Sequence, residues 1–363
     1  MIRLVHLVLL SFFLLLACGE RSKKSLPSAT GITGDMYLIM DSIQWEGPLG
    51  DVLDSLFRQE AQVLPRKERL FNMRWIDPRK LNFVLKGRRN LIYAVTLDQR
   101  TSGASYLRAL FTPESIAKIK TDSGLFVQTQ EDVYARNQSV MYLFAKTEAE
   151  LIQKIRQNGS QLTAYFDRTE RARQTGALFK SGEMKGINQW VQKNYGCSFR
   201  VPFGYQLVMS NEEFLWVRQI NPRDDKNVFI ARVPYRSQNQ FSRDSLIAFR
   251  NAICRKYLFE DPDVSDSYLI TELNVPGKEV QAQPITFHNE YATELRGLWR
   301  ANNFSMGGPF QAVAVVDRSS NYLYYLEGFV FSPERDQREL MRELETIVYS
   351  FRPGPVATTS AGQ

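Results

Sequence analysis

The sequence predicts an α+β protein: two domains of mainly antiparallel sheet with helices packed on the sheet faces. Three observations carry that expectation. The chain has 363 residues, 44% hydrophobic and 23% charged, which is the profile of a folded globular protein too long for one ordinary domain. Short apolar runs alternate with helical spacing in the first half and follow one another, joined by turns, in the second. No strand-to-helix junction carries a Gly-rich turn.

The first domain is expected over residues 35–175. Met36–Asp41 reads as a short apolar strand. Gly47-Pro48 then opens a helix, with Leu49, Val52, Leu53, Leu56 and Phe57 at i, i+3, i+4, i+7 and i+8. Leu70–Ile76, Leu91–Leu97 and Val140–Ala145 read as further strands. Thr112-Pro113 is a helix start, an N-cap followed by proline in the first turn. Thr147 and Glu150 have capping-box spacing and open a long helix toward Arg173. A glycine-bearing linker is expected at residues 176–186.

The second domain is expected over residues 187–352. A short helix, Ile187–Tyr195, precedes the strands Tyr205–Met209, Phe214–Ile220 and Asn227–Val233. A helix follows Ser242, with Leu246, Phe249, Ile253 and Tyr257 along one face. Tyr268–Leu273, Val280–His288, Thr293–Ala301, Gln311–Asp317 and Tyr322–Phe331 read as antiparallel strands. Ser332-Pro333 is expected to cap the last helix, whose stripe is Leu340, Met341, Leu344, Ile347, Val348 and Phe351. Residues 353–363 read as a disordered tail. Helices near both ends around a run of antiparallel strands are similar to the PsbP/Mog-type sandwich, a likeness of fold that implies no function.

The N-terminus carries a different kind of signal. Met1–Arg3 is a short positive start, and Leu4–Leu16 is an apolar run shorter than the ~20 residues a membrane span needs. It reads as the core of a signal peptide, residues 1–17. The run ends Leu15-Leu16-Ala17-Cys18-Gly19, which resembles the lipobox of bacterial lipoproteins. That resemblance implies diacylglycerol on the Cys18 thiol and a flexible tether through residue 34. Cleavage would leave 346 residues, a net charge of +6 instead of +7, and one histidine, His288. Gly19, where an Asp commonly retains such proteins in the inner membrane, and the lack of an acidic export run favour the periplasmic leaflet of the outer membrane.

Beyond the lipobox lie Ile32-Thr33-Gly34-Asp35 and Trp45-Glu46-Gly47-Pro48-Leu49-Gly50, then Gly204-Tyr205 leading into Phe214-Leu215-Trp216-Val217-Arg218. These motifs resemble an uncharacterised lipoprotein family of Bacteroidota, catalogued only as domain of unknown function number four-eight-three-seven. The resemblance spans nearly the whole mature chain. It implies an envelope location and a two-part fold, and it implies no activity.

Chemistry-bearing residues are scarce. Two histidines exclude a multi-histidine metal site, no cofactor motif is present, and no G-x-S-x-G accompanies His288, which reads as a strand-end residue. Cys197 and Cys254 read either as a disulfide or as two buried thiols, and no C-x-x-C is present. Asp261, Asp263 and Asp266 lack the glycine and distal glutamate of an EF-hand loop and read as a solvated turn. Glu46, between Trp45 and Gly47-Pro48, is the one acid singled out for catalysis, against the commoner reading of a helix-terminus acid. Arg79-Lys80 and Lys86-Gly87-Arg88-Arg89, near Phe83 and Tyr93, form a local basic cluster suited to a solvated turn, anionic lipid or cell-wall polymer. A periplasmic anchor leaves nucleic acid out of reach. Asp41-Ser42, Asp54-Ser55 and Asp244-Ser245 fit a short O-glycosylation pattern.

The expected function is therefore a non-enzymatic binding or envelope-maintenance module, joined to the membrane by lipid and meeting an envelope protein or a cell-wall partner. The alternatives are a carboxylate-dependent enzyme acting on cell-wall glycan through Glu46, and a small-ligand carrier. The carrier reading requires an apolar pocket between helix and sheet in the second domain.

Overall fold

A computed structural model describes residues 26–259 and 267–354. Cys18, the signal peptide, the tether through residue 25, the Asp261–Asp266 loop and the tail from residue 355 lie outside the described residues. The chain forms two compact units. The first comprises residues up to Gln59 together with Phe71–Glu170; the second comprises Glu60–Leu70 together with everything from Arg171. The α+β class and the two-part organisation hold.

The first unit is a five-stranded sheet. β1 (Asp35–Ile39) is followed by helices α1 (Ser42–Trp45) and α2 (Pro48–Phe57), and then by β2 (Asn72–Ile76). Next come α3 (Phe83–Lys86), β3 (Asn90–Thr96), α4 (Ser102–Arg108) and α5 (Pro113–Thr121). β4 (Val127–Glu131), β5 (Ser139–Ala145) and the long α6 (Glu148–Leu178) complete it, α6 belonging to this unit as far as Glu170. The strand order is β2-β1-β3-β5-β4.

Here the sequence expectation is corrected. β1–β2, β1–β3 and β3–β5 are all parallel, and only the edge strand β4 runs antiparallel. The physical reason is burial on both faces. β1, β3 and β5 are nearly continuous apolar runs with almost no exposed residue, the pattern of strands covered on each side by crossover helices. One face packs Phe57, Phe71 and Phe166 edge-to-face under α2 and α6; the other gathers Tyr37, Tyr93, Val95 and Leu107.

Two boundaries are displaced as well. Residues 176–178, expected in the linker, are still helical, and the division between units falls earlier, after Glu170. The expected tether ends sooner than residue 34. The Ala29 N–H donates to the Arg136 carbonyl and the Thr30 N–H to the Gly87 carbonyl, both at 2.9 Å, so backbone pairing fixes this stretch to the first unit.

The second unit is an eight-stranded antiparallel sheet between helices. α7 (Lys185–Tyr195) leads into β6 (Gln206–Ser210), β7 (Phe214–Asn221) and β8 (Asp224–Pro234). After α8 (Arg243–Tyr257) come β9 (Leu269–Glu272), β10 (Gln281–Phe287), β11 (Glu290–Ala301), β12 (Gly307–Asp317) and β13 (Tyr322–Phe331), closed by α9 (Arg338–Val348). The order is β10-β11-β12-β13-β8-β7-β6, with β9 pairing the far end of β11.

Strict alternation divides this sheet into two cores. Val228, Ile230, Val313, Val315, Tyr324 and Leu326 face α7 and α9. Phe229, Ala231, Ala312, Ala314, Leu323 and Tyr325 face α8. The α8 core also holds a charged pair with no solvent exposure. Arg250 grips Glu327 with two hydrogen bonds of 2.8 Å, and the Tyr325 hydroxyl donates to the same carboxylate.

Candidate functional site

The α8 face of the second sheet carries an aromatic pocket. On β7, Trp216 and Arg218 alternate with Leu215 and Val217, which point into the opposite core. β8 contributes Asp225 and Asn227, and β13 contributes Phe329 and Phe331. Trp299 of β11 forms one wall; Leu258 and Phe259 after α8, Leu269 of β9 and Met306 of the β11–β12 turn form the others. The free space is about 40 Å³, enough for a water or a methyl-sized group. A larger guest has to displace a wall, and the flexible Met306 thioether is the wall that moves at least cost.

The polar groups of the pocket form one chain. The Trp216 indole N–H donates to Asn227 Oδ1 at 2.9 Å, and Asn227 Nδ2 donates to Asp225 Oδ1 at 3.1 Å. Arg218 donates to both carboxylate oxygens of Asp225, which raises the guanidinium pKa further. Paired in this way the rim is neutral and offers both donors and acceptors. Trp299 turns its own N–H to the Val330 carbonyl at 3.3 Å and so presents only its apolar surface. An apolar ring with a small polar substituent suits this combination.

Topology points to a second location. In open α/β sheets ligands bind beyond the carboxyl ends of the parallel strands. In the first unit those ends are already filled by the chain's own acids. Asp41, after β1, accepts from the Ile43 N–H at 3.0 Å and the Thr101 hydroxyl at 2.5 Å. Asp77, after β2, accepts from the Arg79 backbone and guanidinium, and Arg79 holds its carboxyl down at about 2. Asp98, after β3, accepts from the Glu148 N–H at 3.1 Å. Asp41 and Asp77 cap short helical turns, at Ser42–Trp45 and Pro78–Lys80, and Asp98 caps the start of α6, so this edge is built as a capping network.

The residues singled out from sequence fall as follows. Glu46 is exposed at the C-terminal end of α1, in the first unit, and is not among the residues that line the α8-face pocket. Cys197 and Cys254 are both free and buried. The disulfide alternative is corrected: Cys197 lies in the core under α9 and Cys254 in the core under α8, with the sheet between them. Burial pushes the Cys254 thiol up to about 12, so neither a nucleophile nor a metal ligand is poised there.

His288 is a turn residue. With φ of 50° at His288 and 70° at Asn289 it forms the two-residue loop of the β10–β11 hairpin, and its Nε2 lies 3.0 Å from the Tyr349 carbonyl. Four members of the basic cluster meet internal partners, and Lys80 is exposed. Arg79 pairs with Asp77, Arg89 with Glu170 at 3.4 Å, while Lys86 and Arg88 lie over Tyr134 and Tyr37. Among the described residues no group of three or more His, Cys, Asp or Glu side chains is arranged to hold a metal ion. The sequence reading missed the pocket itself. Its signal was the Trp216-x-Arg218 alternation opposite Asp225-x-Asn227, polar residues inside otherwise aromatic strands.

Two family models match the chain. Residues 185–350 match "Domain of unknown function (DUF4837)", and residues 29–179 match "Domain of unknown function (DUF8532)". No curated protein matches. Among solved structures, a point mutant of the protein Mog1 is similar at 7% identity and a TM-score of 0.29, covering 44% of this chain and 92% of that one. The Saccharomyces cerevisiae Ran-binding protein Mog1p is similar at 8% identity and 0.29, covering 44% and 93%. LpqN, involved in cell envelope biogenesis of Mycobacterium tuberculosis, is similar at 12% identity and 0.26, covering 43% and 83%. These scores carry no argument about function, and the fold rests on the strand order given above. The resemblance to DUF4837 therefore holds for the second half, where Gly204-Tyr205 and residues 214–218 fall within the match; the expected span over nearly the whole mature chain is corrected, because residues 32–35 and 45–50 fall within the match to DUF8532.

Proposed function

We propose that this chain is a non-enzymatic binding module of the cell envelope, lipid-anchored through Cys18 and taking a small ring-bearing or apolar guest in the α8-face pocket. One observation carries the reading. Trp216, Trp299, Phe329 and Phe331 converge with a neutral Arg218–Asp225–Asn227 rim between helix and sheet of the second unit. That arrangement is the one a carrier requires. The lipobox at Leu15–Cys18 supports the anchor, and the exposed position of Glu46 takes support away from glycan hydrolysis.

Binding is tested by titrating the full chain with indole and benzyl alcohol while following tryptophan emission. A saturable change is expected, strengthened severalfold in Met306→Ala, where the wall side chain is shortened, and lost in Phe331→Trp, which fills the space. No saturable change in either the wild type or Met306→Ala would overturn the reading. The anchor is tested separately: Cys18→Ala is expected to release the protein from membranes and abolish palmitate labelling.

A further inference from the structure

The two margins of the eight-stranded sheet are finished differently. On one side β10 carries Pro284, which cannot donate to a further strand, and β9 has its Thr271 N–H taken by Asn251 Oδ1 at 2.8 Å from α8. On the other side β6 has neither device. It pairs with β7 alone, holds no charge and no proline, and presents Leu207, Val208 and Met209 between 39% and 47% exposed. Phe203 and Ile220, 69% and 65% exposed, extend the same patch beyond its start. Three exposed apolar residues on the edge strand, with Phe203 before it and Ile220 on the neighbouring β7, line a margin whose outer backbone groups are open to a further strand.

We propose that β6 is a self-association edge, pairing antiparallel with β6 of a second copy of this chain about a two-fold axis near Val208. Charge placement supports a second copy over a foreign strand. The exposed Glu212 follows the end of β6, whereas the exposed Arg223 lies in the β7–β8 turn, beyond the opposite end of β6, whose first residue Gln206 pairs with Arg218. Antiparallel pairing brings each copy's Glu212 toward the other's Arg223 end, whereas parallel pairing stacks like charges. The bulge at Val208 twists the strand and limits the pairing to a few residues. Because the opposite margin is closed, association stops at two copies instead of growing into a filament.

Disulfide trapping of the full chain in detergent tests this. A cysteine near the two-fold axis meets its own copy, so Val208→Cys is expected to give a covalent dimer under mild oxidation. Thr286→Cys, on the closed β10 edge, is expected to stay monomeric under the same conditions. Sedimentation of the uncross-linked protein is expected to show a concentration-dependent dimer that Leu207→Lys shifts at least tenfold toward monomer. Equal cross-linking at both positions, no cross-link at Val208→Cys, or a dimer untouched by Leu207→Lys would each overturn the proposal.

Discussion

The Glu68 carboxylate sits across the first turn of α9, accepting from the Gln337 N–H at 2.7 Å and the Arg338 N–H at 2.8 Å. A residue nearly 270 positions upstream in sequence thus provides the cap that the helix's own leader does not. Around it Arg342 donates to the Leu70 carbonyl at 3.0 Å, and Ala61 and Leu64 join the core under α9. Residues 60–70 are therefore a structural part of the second unit. Glu68→Ala is expected to cost about 1–2 kcal/mol, the range for a lost cap that leaves one buried and one part-buried donor without its acceptor. The urea midpoint of the full chain measures it. A fragment limited to residues 185–350 is expected to be less stable still, because it lacks the cap and the Leu64 side chain together.

The buried pair predicts a larger effect. Burial pushes the Glu327 carboxyl up, while Arg250 and the Tyr325 hydroxyl oppose the shift. Glu327→Gln leaves Arg250 buried over Phe310 without its counter-charge, at a cost on the order of 3–5 kcal/mol. Replacing both partners, Arg250→Met with Glu327→Leu, is expected to recover most of that loss, since two apolar groups remove the desolvation penalty at its source. Denaturation of the two single variants and the double variant gives the coupling directly.

What the sequence disclosed follows the range of the interactions concerned. Helix starts were local and legible: Thr112 accepts from the Ser115 N–H and Ser242 from the Ser245 N–H, as expected from their positions. Strand direction was not local. Runs such as Asn90–Thr96 and Ser139–Ala145 show burial on both faces, but the neighbour that makes them parallel lies elsewhere in the chain. Ser332-Pro333 failed as the cap of the last helix because the helix begins five residues later and takes its cap from Glu68. The pocket was legible only in part for the same reason: the Trp216-x-Arg218 alternation is local, but Trp299 and Phe331 are brought to Trp216 only by the strand order.

His288 predicts a pH dependence. Partial burial and the nearby Arg352 guanidinium lower its pKa from the ordinary value near 6.5. The folded state therefore holds the neutral ring where the unfolded chain takes a proton. Stability attributable to this residue is present above the unfolded pKa and is lost as pH falls below it. His288→Asn keeps a residue tolerant of positive φ in the turn. Between pH 7 and pH 5 the wild type is expected to lose more stability than this variant, read as the difference between their thermal midpoints. Parallel midpoints across that range would refute the assignment.

Thiol chemistry offers a direct check on the two-core architecture. Cys197 and Cys254 are expected to resist alkylation in the native protein and to react fully in denaturant, without any need for a reductant. Mass spectrometry after labelling under non-reducing conditions distinguishes this from a disulfide. Protection that required reduction to relieve would place the two cysteines on one side of the sheet.

Two glycines with opposite surroundings test the packing around the pocket. A Cβ on Gly308 would stand 2.1 Å from the Val330 carbonyl oxygen and 3.1 Å from Trp299 Nε1. Gly308→Ala has to push β13 or the Trp299 indole aside, in the region where the indole N–H bonds Val330. Its expected cost is about 1–3 kcal/mol, with a red-shifted tryptophan emission as the wall of the pocket opens. Gly186, at the start of α7, would carry a Cβ into open space. There alanine only narrows the unfolded ensemble and favours the helix, so Gly186→Ala is expected to gain about 0.4–1 kcal/mol with unchanged emission. Thermal melts of the two variants side by side separate steric exclusion at the pocket from a general response to alanine.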